Sequence, residues 1–154
     1  MTHILRPATA TDEPAVRTCA ELAYARYVPL MGRKPAPMVA DFAAQIAADV
    51  VRVAMDGDRL LGFIVFYEDA GAMLLENVAV HPDAAGRGIG KALIGLCEDT
   101  ARHAGLPAVR LYTNIKMADN LGIYPRLGYV ETDRRIEDGF HRVYFEKPLS
   151  LARD

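Results

Sequence analysis

The stretch Val78-Ala79-Val80-His81-Pro82-Asp83-Ala84-Ala85-Gly86-Arg87-Gly88-Ile89-Gly90-Lys91-Ala92 runs from an apolar strand through a glycine-rich turn straight into a helix. Glycine has no Cβ, so a chain with Gly86, Gly88 and Gly90 can turn sharply and aim successive N–H groups at one point. A helix that begins there adds its own unpaired donors and the positive end of its dipole. Together they suit a phosphate or pyrophosphate. Two common phosphate motifs fail on specific residues. A P-loop aligned on Gly90-Lys91 requires glycine at 85 and Ser or Thr at 92, where this chain has Ala85 and Ala92. A dinucleotide fingerprint from Gly86 requires glycine at 91, which is Lys91, and an acidic residue closing the next strand, where Arg110 and Tyr112 stand.

Upstream of this stretch, residues 4–6 read as a short strand, and Thr11 or Asp12 caps a helix whose apolar positions Val16, Cys19, Ala20, Ala23 and Tyr27 recur at helical spacing. Prolines 29, 35 and 37 interrupt the pattern, and a second helix follows over 38–48 with Met38, Phe42 and Ile46 on one face. Strands over 50–55, 60–67 and 73–80 are joined by Asp56-Gly57-Asp58 and Asp69-Ala70-Gly71, which are hairpin turns and imply antiparallel pairing. The helix after the glycine turn buries Ile89, Leu93, Leu96, Cys97, Ala101 and Ala104 and stops at Gly105, with Pro107 just beyond. Downstream come a strand over 108–113, a short helix over 118–127, and two strands about Glu137-Asp138-Gly139 ending near Lys147. A full helix joins the strand at Val78 to the strand at Val109, so these two run parallel. The predicted fold is mixed α/β, a mostly antiparallel sheet with one parallel pair, flanked by helices in the order β-α-α-β-β-β-α-β-α-β-β.

The chain of 154 residues fits one domain, 1–154, with no linker, repeat or low-complexity segment. Eighteen Lys and Arg against 20 Asp and Glu leave a net charge of −2, which gives no electrostatic reason to expect a nucleic-acid or membrane partner. Cys19 and Cys97 fall on apolar helix faces and read as structural thiols of a reducing compartment. The N-terminus lacks the apolar core of a signal peptide and no apolar run reaches membrane-spanning length, so a cytoplasmic location is expected. His3, His81, His103 and His141 show no metal-ligand spacing, and no bound metal is expected.

The run Gly86-Arg87-Gly88-Ile89-Gly90 after Val-Ala-Val-His-Pro resembles the acetyl-CoA-binding motif of the GCN5-related N-acetyltransferase (GNAT) superfamily, written [QR]-x-x-G-x-[GA]. Ala85 departs from it at the first position, where Arg87 or Lys91 would make up some of the lost charge. A second run, Asn120-Leu121-Gly122-Ile123-Tyr124-Pro125-Arg126-Leu127-Gly128-Tyr129, is similar to the superfamily's N-x-x-x-Y-x-x-x-G-[FY]. The element order is also the one this resemblance implies, over nearly the whole chain. The plainer reading of the glycines alone is a turn that only starts a helix.

The resemblance implies acetyl-CoA as acyl donor and no metal. Val78, Ala79 and Val80 would meet it mainly through their main chain, Gly86, Arg87, Gly88, Ile89, Gly90 and Lys91 through the turn, and Asn120 through its side chain. Two catalytic candidates follow. Tyr124 matches the family's general acid, and a phenol with pKa about 10 keeps its proton near neutrality; otherwise it only packs on the cofactor. Pro125, inside the predicted helix, removes one hydrogen bond and disfavours helical geometry at Tyr124. An amine with pKa near 10.4 is neutral about once in 2,500 molecules at pH 7, a penalty of roughly 4.6 kcal/mol, so a base is needed. Glu76 interrupts the apolar run from Met73 to Val80 and is the candidate, acting directly or through water. Its competing reading is a carboxylate facing solvent or paired with Arg52 or Arg110.

The acceptor is implied only as an amine: a small molecule, an amino acid or a peptide N-terminus. Family analogy puts it beside residues 24–38 and the turn at 137–139, with Tyr24, Tyr27, Tyr67 and Tyr144 as pocket or packing residues. A homodimer is common among relatives. The alternative to an N-acetyltransferase is a non-catalytic acyl-CoA-binding sensor, which the departures at Ala85 and Pro125 favour; a purely structural module ranks below both.

Overall fold

The structure, a computed structural model, describes residues 3–150. Its seven strands follow the order β1-β2-β3-β4-β5-β7-β6, with β1 Ile4–Pro7, β2 Val51–Asp56, β3 Arg59–Asp69, β4 Ala72–Val80, β5 Ala108–Asn114, β6 Val130–Glu137 and β7 Phe140–Pro148. β4 and β5 are parallel, Met73 opposite Val109 and Leu74 opposite Arg110. The pairs β1–β2, β2–β3, β5–β7 and β6–β7 are antiparallel. This is the mixed sheet the pattern predicts. The chain divides into two compact units, one running through Phe66 and including Glu76–Leu96, the other made of Tyr67–Leu75 and the residues from Cys97 onward.

In the first unit, α1 (Glu13–Tyr24) buries Val16, Cys19, Ala20 and Tyr24, the i, i+3, i+4 positions that face a core. Asp12 holds the N-cap position, one of the two expected, but not with the expected bond. Asp12 makes no side-chain cap bond to α1; its carboxylate reaches back to the Thr9 N–H at 2.7 Å and to Arg6 at 2.8 Å, closing a capping box on the preceding 3-10 turn. Tyr27 lies in a separate 3-10 turn, and a single turn α2 (Val28–Met31) ends at Gly32 with φ +73°. The expected helix over 38–48 is shorter. Met38 sits in a 3-10 turn, and α3 (Phe42–Ala47) starts only after Asp41, whose carboxylate accepts from the Ala44 N–H at 3.1 Å. Phe42 of α3 packs edge-on against Phe63 of β3, centroids 5.4 Å apart.

α4 (Ile89–His103) follows the glycine turn and ends before Gly105, φ +75°. It buries Ile89, Leu93, Ile94, Cys97 and Ala101, whereas Ala104 is exposed and Leu96 half-buried, because the apolar stripe runs through Ile94. β3 lies close to β4 and α4: a Cβ added at Gly62 would stand 2.7 Å from the Ala79 carbonyl oxygen and 3.2 Å from Ile89.

In the second unit, α5 (Ala118–Arg126) contains Pro125 and closes at Gly128, φ +95°, which delivers Tyr129 into the interior. Glu98 there is buried and accepts from the Tyr129 hydroxyl and from Lys147 Nζ, each at 2.9 Å. That arrangement meets the rule that a buried charge needs hydrogen-bonded partners. β6 is exposed along nearly its whole length, and its register with β7 slips between Glu131 and Asp133. No described helix is long and apolar enough to cross a membrane.

Candidate functional site

The glycine turn is built from the strand outward. The His81 N–H bonds the Leu61 carbonyl at 2.8 Å, holding the end of β4 against β3. Pro82–Ala84 then form a 3-10 turn, with His81 Nδ1 accepting from the Asp83 N–H at 3.1 Å, so His81 shapes the loop. Gly86 and Gly88 have φ of +80° and +75°, the left-handed region, and a Cβ on either would meet nothing within 4 Å. Backbone angle and not space is therefore what calls for glycine at these two positions. Gly90 is under neither constraint: it is not among the positive-φ residues, and an added Cβ would meet Val80 Cγ2 at an ordinary contact distance of 3.4 Å.

The first intrahelical bond runs from the Ala92 N–H to the Gly88 carbonyl at 3.0 Å, which leaves the N–H groups of Ile89, Gly90 and Lys91 without acceptors inside the helix. Arg87 and Lys91 are exposed and Ile89 is buried. Unpaired amides behind an open, left-handed turn fit an anionic diphosphate.

On β4, burial alternates strictly: Leu75, Asn77 and Ala79 are buried, while Glu76, Val78 and Val80 are half-buried. Three consecutive residues of this strand bond to the helical segments of the same unit. Gln45 Nε2 of α3 donates to Glu76 Oε2 at 2.5 Å. The Tyr24 hydroxyl lies 2.7 Å from Asn77 Oδ1 and 2.9 Å from the Val78 carbonyl. Asn77 Nδ2 donates to the Pro37 carbonyl at 3.0 Å. Arg52 and Arg110 are engaged with Asp49 and Glu146, and Glu76 accepts from the Gln45 amide. Gln45 Oε1 is buried with no hydrogen-bond partner, the one such side-chain atom among the described residues.

Tyr124, in the second unit, is 6% exposed, with its ring against Tyr129 and Phe145 at centroid distances of 5.6 and 5.9 Å. Its hydroxyl has no hydrogen-bond partner among the described residues. Burial pushes that phenol well above its ordinary value, and the neighbouring Cys97 adds to the effect. A hydroxyl so placed keeps its proton near neutrality.

Asn120 Nδ2 donates to Thr113 Oγ1 at 3.1 Å and lies 3.7 Å from Met117 Sδ, so its amide nitrogen is committed within this unit. Asn114 Oδ1 accepts from the Lys116 N–H. The Tyr144 hydroxyl donates to Glu137, whose carboxylate also lies 3.6 Å from Arg142.

The sequence reading singled out Glu76, Val78 and Tyr124 but missed Gln45 and Asn77, and it held Tyr24 only as a pocket or packing residue. Asn77 carried a signal, a polar residue on the inward row of a strand. Gln45, on an otherwise unremarkable helix, carried none. A surface pocket of about 300 Å³, lined by Thr9, Glu13, Ala43 and Ile46 among others, contains none of these groups.

Comparison with known proteins agrees with this geometry. An "IAA acetyltransferase" of Azospirillum brasilense is 33% identical over 90 residues, 58% of this chain and 55% of that protein, so the chain spans about half the length of the curated relative it matches. Among solved structures, the PaiA N-acetyltransferase of Thermoplasma acidophilum in complex with coenzyme A superposes with a TM-score of 0.79 over 97% of this chain and 100% of its own, at 16% identity. The ribosomal-protein-S18-alanine N-acetyltransferase of Escherichia coli gives 0.75 over 99% and 97%, at 20% identity. These two likenesses concern the fold. The family signature covers residues 19–129, which takes in the second half of α1, β4, the glycine turn and Tyr124, and the chain belongs to the acetyltransferase (GNAT) family.

Proposed function

We propose that this protein is an acetyl-CoA-dependent N-acetyltransferase that acts on an amine by direct attack. The observation that carries the reading is the turn at Gly86 and Gly88, which opens α4 with unpaired amides immediately after β4. In this reading the amides of residues 86–91, with Arg87 and Lys91 beside them, hold the diphosphate, the main chain of Val78, Ala79 and Val80 lies along the cofactor, and Asn120 lends its remaining carbonyl oxygen. Acetyl-CoA supplies an activated acetyl thioester and leaves as the thiol. Glu76 takes, directly or through water, the proton that the amine nitrogen sheds on forming its new bond to carbon. Tyr124 gives its proton to the departing sulfur. The absence of a hydrogen-bond partner for the Tyr124 hydroxyl among the described residues supports that role, and burial keeps the phenol protonated near neutrality.

The test is thiol release from acetyl-CoA in the presence of small amines, polyamines, amino acids and peptide N-termini, beside calorimetry of coenzyme A binding. Turnover with at least one amine is expected. Binding without turnover on any acceptor would mark the protein as an acyl-CoA sensor, the alternative that Ala85 and Pro125 favour. No binding at millimolar concentration would end both readings.

A further inference from the structure

We propose that Gln45 is the positioning residue of Glu76, able through its carboxamide to partner that carboxylate both before and after it gains a proton. This rests on the reading of Glu76 as the base. The backbone of Gln45 is fixed on both sides, its N–H on the Asp41 carbonyl at 3.1 Å and its carbonyl accepting from the Val50 N–H at 3.2 Å. Phe42 and Ile46 on the same short helix are buried, so α3 is anchored and its side chain at 45 is presented to β4 from a rigid support.

The side chain is then used unevenly. Nε2 donates to Glu76 Oε2 at 2.5 Å, while Oε1 is buried and bonded to nothing. A glutamine retained only for packing or cross-linking would have both ends satisfied, because a lone buried acceptor is costly. Here nothing but Glu76 holds the amide in one orientation, and a half-turn about its last bond breaks no other contact.

That freedom matches the chemistry. An ionised carboxylate only accepts, and Nε2 meets it. Once Glu76 takes the proton from the amine nitrogen, it carries one O–H, and the half-turn brings Oε1 to receive it. Lysine at 45 would partner only the ionised form, and methionine neither. The carboxamide alone follows the proton without itself gaining or losing one.

The experiment is a double-mutant cycle on the full chain, with kcat and KM read from thiol release, using the amine that turns over fastest. Gln45→Met is expected to lower kcat about 10-fold or more, with KM for acetyl-CoA and amine within about twofold, and to change kcat by less than about twofold when Glu76 is already Gln. Gln45→Lys, which keeps a donor but loses the acceptor, is expected to lose at least as much as Gln45→Met. Circular dichroism and thermal melts confirm that each variant is folded, and the methionine variant carries the test should lysine prevent folding.

Equal losses from Gln45→Met in the wild-type and Glu76→Gln backgrounds would make Gln45 merely structural and overturn the proposal. Full activity of Gln45→Lys would overturn the two-state role. Glu76→Gln at wild-type kcat would remove the base itself and the proposal with it, whereas a slow Glu76→Gln beside an unaffected Gln45→Met would remove the proposal alone.

Discussion

The single proton of the Tyr24 hydroxyl faces two oxygens of β4, Asn77 Oδ1 at 2.7 Å and the Val78 carbonyl at 2.9 Å. Asn77 is only 3% exposed, so water cannot replace this donor. Tyr24→Phe should therefore destabilise the protein by about 1–3 kcal/mol, the range for stranding a buried acceptor. Urea unfolding checks this: the midpoint should fall at constant m. A midpoint equal to wild type would show that the bond contributes nothing net.

Tyr124→Phe removes one oxygen and leaves the ring contacts with Tyr129 and Phe145 in place. Thiol release should slow by about 10²-fold or more. Calorimetric affinity for acetyl-CoA should stay within a factor of about two. A variant as fast as wild type would strike the hydroxyl from the mechanism.

The glycines of the turn should respond differently to alanine. Gly88 has φ +75°, which costs an L-residue about 1–2 kcal/mol, so Gly88→Ala should distort the turn and weaken coenzyme A binding about 10-fold. Gly90 lies inside α4, and its new methyl group would meet Val80 at an ordinary contact distance of 3.4 Å. Gly90→Ala should therefore leave the melting temperature equal or higher, since alanine favours a helix by up to about 1 kcal/mol. Calorimetry and thermal melts on the pair separate the two effects, and equal losses of affinity would contradict this account of the turn.

Gly62→Ala is the substitution we expect to be hardest on the first unit. Its Cβ would stand 2.7 Å from the Ala79 carbonyl, an atom of the main chain that cannot rotate away. Overpacking of this kind costs about 1–3 kcal/mol. Because the shift falls on β4 at Ala79, coenzyme A affinity should drop along with stability. A variant with wild-type melting and binding would show that β3 gives way freely.

Asp12 sets a pH dependence. Its hydrogen bond to Arg6 holds the carboxyl at about 2, below its ordinary 3.8. A folded-state pKa below the unfolded one means stability that is complete above about pH 4 and lost as the pH falls toward 2. Asp12→Asn should flatten the stability profile within that window. At neutral pH it should cost about 1 kcal/mol through the weakened capping box. Acid titration of both proteins, followed by circular dichroism, decides the point, and parallel profiles would rule Asp12 out.

How far the sequence could be read depended on the range of the interaction. The strand, glycine turn and helix from Val78 to Gly105 were legible because local spacing and turn chemistry decide them. Misreadings arose where a neighbouring element took over. Asp12 does stand at the N-cap of α1, but Thr9 and Arg6 compete for its carboxylate and leave it without the cap bond. The helix about Phe42 was drawn too early, although Asp41 already marked its cap. Ala104 was placed inside and Ile94 passed over, since the face of α4 is settled by what packs on it. The pairs Gln45–Glu76 and Tyr24–Asn77 span 31 and 53 residues, distances at which no periodicity in the chain carries information.

The slipped register of β6 between Glu131 and Asp133 has a bearing on how the protein behaves in crowded solution. A bulge twists the free row of amides, and Glu131, Asp133, Arg134 and Arg135 spread charge of both signs along it. An incoming foreign segment would find no straight ladder to extend, and charged side chains standing between the exposed Val130 and Ile136. The end of the sheet is thereby guarded against fibril-like growth by its own irregularity.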